Sequence, residues 1–317
     1  MIITVSPYLK SKPYYWYIAR SLYSLAKENK IVLQEKAMPI KFEPYVELLY
    51  INNTPLFIDV RDDLTLSNTY KGFSSDAIIL KANYSTELFE TPPKEFEYQV
   101  QGWYKTIKDR LHPFILGRSF NLPFNIDEFS YYRKAIIPKY DVVSYSGAGI
   151  YSLQTKSRIK VYDLIKEVFK EKSNLLFIGR NHYTDEKNYP EFFKKLLEYF
   201  CPTTLGTDDF FNFLHTGCYS LNFPGIACSQ PFRCVDAVLT GRGIISTKIY
   251  HDLYKSFPCI ELPICGYTGE GDWNKAKEIL NNLPINTVEL IRKADNWYSW
   301  FLSTEGMFNN QLINYLK

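Results

Sequence analysis

Metal-ligand spacing is missing from this sequence. Its six cysteines (Cys201, Cys218, Cys228, Cys234, Cys259, Cys265) form no C-x-x-C pair, and its four histidines (His112, His182, His215, His251) are scattered. That excludes the common structural zinc modules, and the thiols read as buried free cysteines in a reducing compartment. Long apolar runs are lacking too: none approaches the roughly 18 residues that a membrane span needs. The first residues, Met1-Ile2-Ile3-Thr4-Val5, read as a strand rather than as a basic segment leading into an apolar one, so no signal peptide is expected. The expected location is therefore the cytoplasm, with membrane contact at most peripheral. Charge of one sign is also scarce: 37 Lys and Arg stand against 34 Asp and Glu, a net charge of +3. So even a balance argues against a protein built to coat nucleic acid. No G-x-G-x-x-G follows the first strand, and neither G-x-x-x-x-G-K-[ST] nor G-x-S-x-G occurs, which removes the dinucleotide fingerprint, the P-loop and the usual hydrolase elbow.

What the chain does have is length, apolar content and aromatics. Its 317 residues predict about two domains. A hydrophobic fraction of 46% is ordinary for a globular protein, and a chain this long buries a sizeable core without disulfides. The 26 Tyr, 22 Phe and 5 Trp suit stacking on sugars or bases, and suit ordinary cores equally well.

Short apolar runs alternate with helical periodicity. The first half predicts strands at 2–6, 31–34, 46–51, 56–60, 77–80, 114–116 and 141–145. A helix is predicted over 14–29, with Trp16, Ala19, Leu22, Tyr23 and Ala26 at helical spacing, and Asn52-Asn53-Thr54-Pro55 is a turn signal. After Ser146-Gly147-Ala148-Gly149, read as a linker, a basic helix over 156–172 carries Ile159, Tyr162, Ile165, Val168 and Phe169 on one face. Strands are then predicted at 175–178, 219–223, 243–246 and 259–262, and helices at 190–200, 210–215, 231–239, 273–282, 287–302 and 308–316. Two successive α/β halves, 1–150 and 151–317, imply two Rossmann-like domains with a ligand cleft at the carboxyl ends of the strands.

Three stretches carry candidate chemistry. In 218–249 a strand leads through Phe223-Pro224-Gly225 and a polar loop with Ser229 into a helix, with Arg233 one turn in and Asp236 three residues later. Backbone N–H groups at such a helix start suit a diphosphate, Arg233 can pair with a phosphate, and Asp236 can accept from a ribose diol. The plain alternative is an Arg–Asp helix pair beside a structural turn. In 175–180 a strand ends in Gly179-Arg180, where the glycine admits a close ligand and the guanidinium forms a second clamp; His182 and Tyr183 share that loop. In 56–63 a strand runs into Arg61-Asp62-Asp63. Either aspartate could take a proton from a hydroxyl, and Asp63, further into the loop, reaches farther. Asp59 lies within the strand and is expected to face a helix, while Lys81 and Asn83 hold the corresponding place after the next strand.

The segment 205–250 resembles the signature of exostosin-like glycosyltransferases: Pro224-x turn with Gly225, Ser229, Phe232-Arg233, Asp236-Ala237-Val238-Leu239, Gly241 and Ile244-Ile245, preceded by Asp208-Asp209-Phe210-Phe211-Asn212-Phe213-Leu214. Family members usually carry Glu where this chain has Asp236, a shorter carboxylate with a different reach. The resemblance implies a GT-B fold, an acceptor side in 1–150, and a nucleotide-sugar bound by 151–317 through Gly179, Arg180, Gly225, Ser229, Arg233 and Asp236. It implies transfer of a sugar from a donor, expected to be a UDP-sugar, to a glycan or glycoconjugate acceptor. The family includes inverting and retaining enzymes; inversion is expected here, with Asp63 or Asp62 as base from the placement of 56–63 and not from the resemblance, and with no cofactor. No two aspartates have the D-x-D spacing with which GT-A enzymes commonly hold a metal, so none is expected. An epimerase or phosphorylase on the same fold, or a non-catalytic glycan-binding protein, remain alternatives.

Overall fold

The computed structural model describes residues 1–39, 43, 45–61, 63–73, 75–100, 102–115, 126–148, 152–178, 190–225, 232–284 and 286–316. The chain divides into two compact units, one of 1–128, 250–257 and 296–317, the other of 129–249 and 258–295.

The first unit is built on a six-stranded sheet of β1 (Ile2–Val5), β2 (Val32–Glu35), β3 (Val46–Ile51), β4 (Thr54–Asp59), β5 (Ile78–Lys81) and β6 (Leu111–Pro113), in the order β2-β1-β3-β4-β5-β6. All its neighbours pair in parallel except β3, which is antiparallel to both β1 and β4. The reversal is local in origin. Asn52 and Asn53, at φ 46° and 72°, make the two-residue turn whose twist suits a hairpin, and asparagine tolerates that region better than most residues. Helix α1 (Trp16–Lys27) packs through Tyr17, Ile18, Ala19, Ser21, Leu22 and Leu25. The expected stripe was rotated: Trp16 is an exposed residue, and the i, i+4, i+7 series from Ile18 does the packing. The strand expected at 114–116 lies at 111–113 instead, where it pairs with β5.

His251, from the returning segment of this unit, is fully buried, with Nε2 3.2 Å from the Phe114 carbonyl oxygen and its ring edge-on to Tyr254. Burial pushes its pKa down to about 4. The unfolded chain then binds more protons than the folded one between pH 4 and 6.5, so stability falls as the pH drops through that window. At 1.36 kcal/mol per unit the loss reaches about 3 kcal/mol. Urea unfolding at pH 7 and pH 5 should show it, and His251→Gln should flatten the difference. Equal slopes in both proteins would remove His251 as the cause.

The second unit carries β7 (Tyr140–Gly147), β8 (Ser173–Ile178), β9 (Phe200–Cys201), β10 (Gly217–Asn222), β11 (Gly243–Thr247) and β12 (Ile260–Leu262), ordered β12-β11-β10-β7-β8-β9. Every pairing is parallel. Counted from β7, this is the 3-2-1-4-5-6 order of the Rossmann fold. Its helices are α2 (Ser152–Phe169), α3 (Pro190–Glu198), α4 (Thr207–His215), α5 (Phe232–Thr240) and α6 (Trp273–Asn281). The face read for α2 is the one buried: Ile159, Tyr162 and Ile165 are core residues, with Val168 and Phe169 packed against them. Tyr162 stacks on Phe177 of β8 with ring centres 4.1 Å apart, and its hydroxyl is 2.8 Å from Ser144 Oγ of β7. Gly243 has no room for a side chain, since a Cβ there would lie 2.5 Å from the Tyr219 ring.

The α/β class and the two Rossmann-like units are as expected. The boundary is not where the linker reading put it, at 150. β7 belongs to the second sheet, flanked by β8 and β10, and the compact units part at 128/129. A helix α7 (Val288–Phe301) is divided between the units, so the second expected domain, 151–317, also gives its last residues to the first unit. No helix among the described residues is long and apolar enough to cross a membrane. Five of the cysteines are free, and Cys228 lies outside the described residues.

Candidate active site

In a Rossmann sheet the strand order reverses between the first and fourth strands, and ligands bind beyond the carboxyl ends of that pair. Here the pair is β7 and β10. Their ends are joined by Arg158 of α2, whose Nη1 donates to the Gly147 carbonyl at 2.6 Å and Nη2 to the Pro224 carbonyl at 2.9 Å. The guanidinium also lies over the Phe223 ring at 5.1 Å. The sequence reading missed Arg158, because nothing in a helical stripe marks an arginine that turns inward to bind carbonyls. At the same rim Asn222 is fully buried, and its Oδ1 accepts no hydrogen bond among the described residues.

Gly225 follows Pro224 at this edge and is half-buried. On α5, Arg233 Nη1 stands 3.4 Å from Asp236 Oδ2. The plain Arg–Asp pair is therefore present in part, with one difference from a surface pair: Asp236 is buried and Arg233 only partly so. The Arg233 guanidinium rests over the Phe210 ring of α4 at 4.5 Å. That contact explains the Phe-rich helix upstream: α4 supplies an aromatic platform, with Asp208 and Asp209 in its first turn where the helix dipole favours them. Gly179, Arg180, Ser229, His182 and Tyr183 lie outside the described residues.

The first unit gathers charge at the carboxyl ends of β4 and β5. Asp59, the last residue of β4, is fully buried. Its Oδ1 accepts from the Arg61 amide at 3.0 Å and from Arg61 Nε at 3.1 Å, and its Oδ2 accepts from Arg61 Nη2 at 2.7 Å and from the Tyr70 hydroxyl at 2.6 Å. Lys81, its register partner on β5, is fully buried with Nζ 3.5 Å from Asp59 Oδ2. Asp59 thus reaches the expected helix, the 3-10 turn Asn68–Gly72 that carries Tyr70, but its main partners are cations. Burial alone would raise its carboxyl pKa; Lys81 and Arg61 outweigh it and hold the group below its ordinary value. Burial pushes the Lys81 ammonium the other way, down, with Asp59 opposing.

Removing Asp59 leaves buried positive charge uncompensated, which costs about 3–5 kcal/mol. Asp59→Ala should lose that much in urea unfolding, and adding Lys81→Met should restore part of it. A double variant no more stable than the single one would contradict the charge argument.

Asp63 lies just beyond this cluster. Its Oδ1 accepts from the Thr65 amide at 3.0 Å and the Thr65 hydroxyl at 2.5 Å, and its charge is among those acting on Lys81. Asp62 lies outside the described residues. Lys81 Nζ and Asn83 Nδ2, at the end of β5, are buried donors without a hydrogen-bond acceptor among the described residues. No group of three or more His, Cys, Asp or Glu that could hold a metal occurs among the described residues.

In fold, the chain resembles solved glycosyltransferase structures. A glycosyltransferase from Rickettsia africae ESF-5 is 13% identical, with 93% of this chain and 86% of that one covered, at a TM-score of 0.40. The trehalose-6-phosphate synthase OtsA is 9% identical over 76% and 71% of the two chains, at 0.44. A TarM variant of S. aureus, solved with UDP and a glycosylated glycerol, is 10% identical over 86% and 64%, at 0.46. At these values the likeness is one of general form. No family model and no curated protein matches the sequence.

Proposed function

We propose that this chain is a GT-B glycosyltransferase that moves a sugar from a UDP-sugar to a hydroxyl of a glycan or glycoconjugate, with inversion and without a metal. The observation that carries the reading is the parallel second sheet in Rossmann order, with Gly147 and Pro224 at its switch point joined by Arg158 and the Arg233-bearing helix next among the described elements. The donor diphosphate takes its charge partners from the start of α5, from Arg233 and from Arg180, with Gly179 and Ser229 supplying backbone and hydroxyl contacts. Asp236 receives the ribose hydroxyls once Arg233 turns from it to phosphate. As the glycosidic bond breaks, the leaving UDP gains charge, and fixed cations there stabilise the transition state more than the ground state. Asp63 takes the acceptor proton as the new bond forms, with Asp62 as the other candidate.

Thermal unfolding with UDP and UDP-sugars, with and without EDTA, tests this reading. A ligand at a hundredfold excess over its Kd should add about 2.7 kcal/mol of stability. EDTA should leave both the shift and the transfer rate unchanged, whereas a rate that collapses and returns with manganese would reveal a metal site. A glycan-binding protein would not respond to UDP, and an epimerase would consume the donor with no acceptor present.

A further inference from the structure

Among the described residues of the first unit, the exposed aromatic side chains are Tyr8, Tyr14, Trp16, Tyr45, Tyr98 and Trp300. Four of them fall in two short segments: Tyr8 (70%), Tyr14 (45%) and Trp16 (46%) after β1, and Tyr45 (42%) before β3. A single exposed aromatic is ordinary, but a cluster marks a contact surface. The two segments meet. The Tyr14 and Tyr45 rings lie with their centres 5.5 Å apart and their planes inclined at 53°.

The backbone beneath these rings is fixed. Tyr15, between Tyr14 and Trp16, is fully buried, and its hydroxyl donates to the Ile58 carbonyl of β4 at 3.3 Å. The Tyr45 carbonyl accepts from the Val60 amide at 2.9 Å. Lys12 is paired with Glu47 of β3, and both side chains are largely buried. These contacts lie at the carboxyl end of β4, from which the chain runs on to Asp63. Three residues lead from Val60 to Asp63, at most about 11 Å of chain. Rings on a fixed backbone, with two side-chain torsions each, lose little freedom when a ligand stacks on them.

The charges in these segments narrow the ligand. Lys10 is paired with Glu35, Lys12 with Glu47 and Arg61 with Asp59, so the described cations are already matched. A nucleic acid or an anionic membrane would call for unmatched cations. An aromatic face with a hydroxyl at its tip suits a ligand that is apolar on one side and polar at its edge. A pyranose whose substituents are all equatorial has that form: its axial hydrogens make flat C–H faces, and its hydroxyls make the rim.

We propose that Tyr14 and Tyr45 form a stacking platform for one ring of an uncharged, equatorially substituted oligosaccharide. Its position at the Asp63 end of the sheet makes it the place where the acceptor is held, an assignment that rests on the transferase reading; the platform itself does not. Titration calorimetry with cellotetraose and with chitotetraose measures the binding. It is run on the whole chain, on Y14A/Y45A, on Y14F/Y45F, and on W300A, which removes an exposed aromatic of α7.

The wild type, Y14F/Y45F and W300A should bind at least one of the two sugars equally well, and Y14A/Y45A about tenfold or more weakly, because stacking needs the rings and not their hydroxyls. The single variants Y14A and Y45A, each expected to lose part of that binding, carry the test should the double variant not fold. No saturable binding of either sugar by the wild type, equal weakening in W300A, or loss of binding in Y14F/Y45F would overturn the proposal. So would co-sedimentation with phosphatidylcholine vesicles that Y14A/Y45A loses while keeping its affinity for sugar, since the rings would then face lipid. The UDP thermal shift should be the same in all these proteins. A UDP shift absent from the wild type with sugar binding intact would count against the transferase reading and leave the platform; sugar binding absent with the UDP shift intact would do the reverse.

Discussion

Replacing Arg233 with alanine is expected to lower transfer at least a hundredfold. Removing one fixed donor from a transition-state charge costs about 2.7–4 kcal/mol of barrier in other enzymes. In the resting structure the guanidinium is held loosely: 3.4 Å from Asp236 and stacked on Phe210 at 4.5 Å, about one third exposed. A phosphate offers it a shorter, two-pronged contact, so the exchange of partners is downhill. Arg233→Lys keeps the charge but not the fork, and should fall between the wild type and alanine. Turnover and UDP affinity are to be measured together, because an interaction that grows as the leaving group gains charge lowers kcat more than it weakens UDP. Circular dichroism guards against simple unfolding, since buried Asp236 loses a partner. Near-normal turnover by a folded Arg233→Ala protein would defeat the donor-site assignment.

The second large effect is expected at Asp63. A sugar hydroxyl is a weak nucleophile, and a positioned base contributes about 10²–10⁴ in rate. Among the described residues, both hydrogen bonds to this carboxylate fall on Oδ1. Asparagine also has an Oδ1 acceptor, so Asp63→Asn keeps the turn with Thr65 while removing the base. Transfer should be lost, and the stabilisation by UDP should stay, because the proposed donor residues belong to the other unit. If Asp63→Asn retains full transfer and Asp62→Asn does not, the neighbour is the base. If both retain it, the base lies elsewhere or the reaction retains configuration by another route.

The sequence by itself determined the class of fold and most of its elements. Strand and helix periods are properties of short segments, so the buried face of α2, the Asn52–Asn53 hairpin and the succession from α4 to β11 were all legible from local pattern. Local pattern also placed Arg233 and Asp236 on one helix face, where the structure pairs them. Partnership across the chain was decided only by tertiary structure. A strand's own residues do not say which sheet it joins, and for that reason β7 moved from the first expected domain into the centre of the second sheet. Burial of charge is likewise a property of neighbours. Asp59 draws Arg61 from its own loop, Tyr70 from a later turn and Lys81 from the adjacent strand, and only their convergence makes a buried carboxylate stable. Arg158 shows the same dependence: its two carbonyl partners, Gly147 and Pro224, lie 77 residues apart in sequence and meet because β7 and β10 are paired.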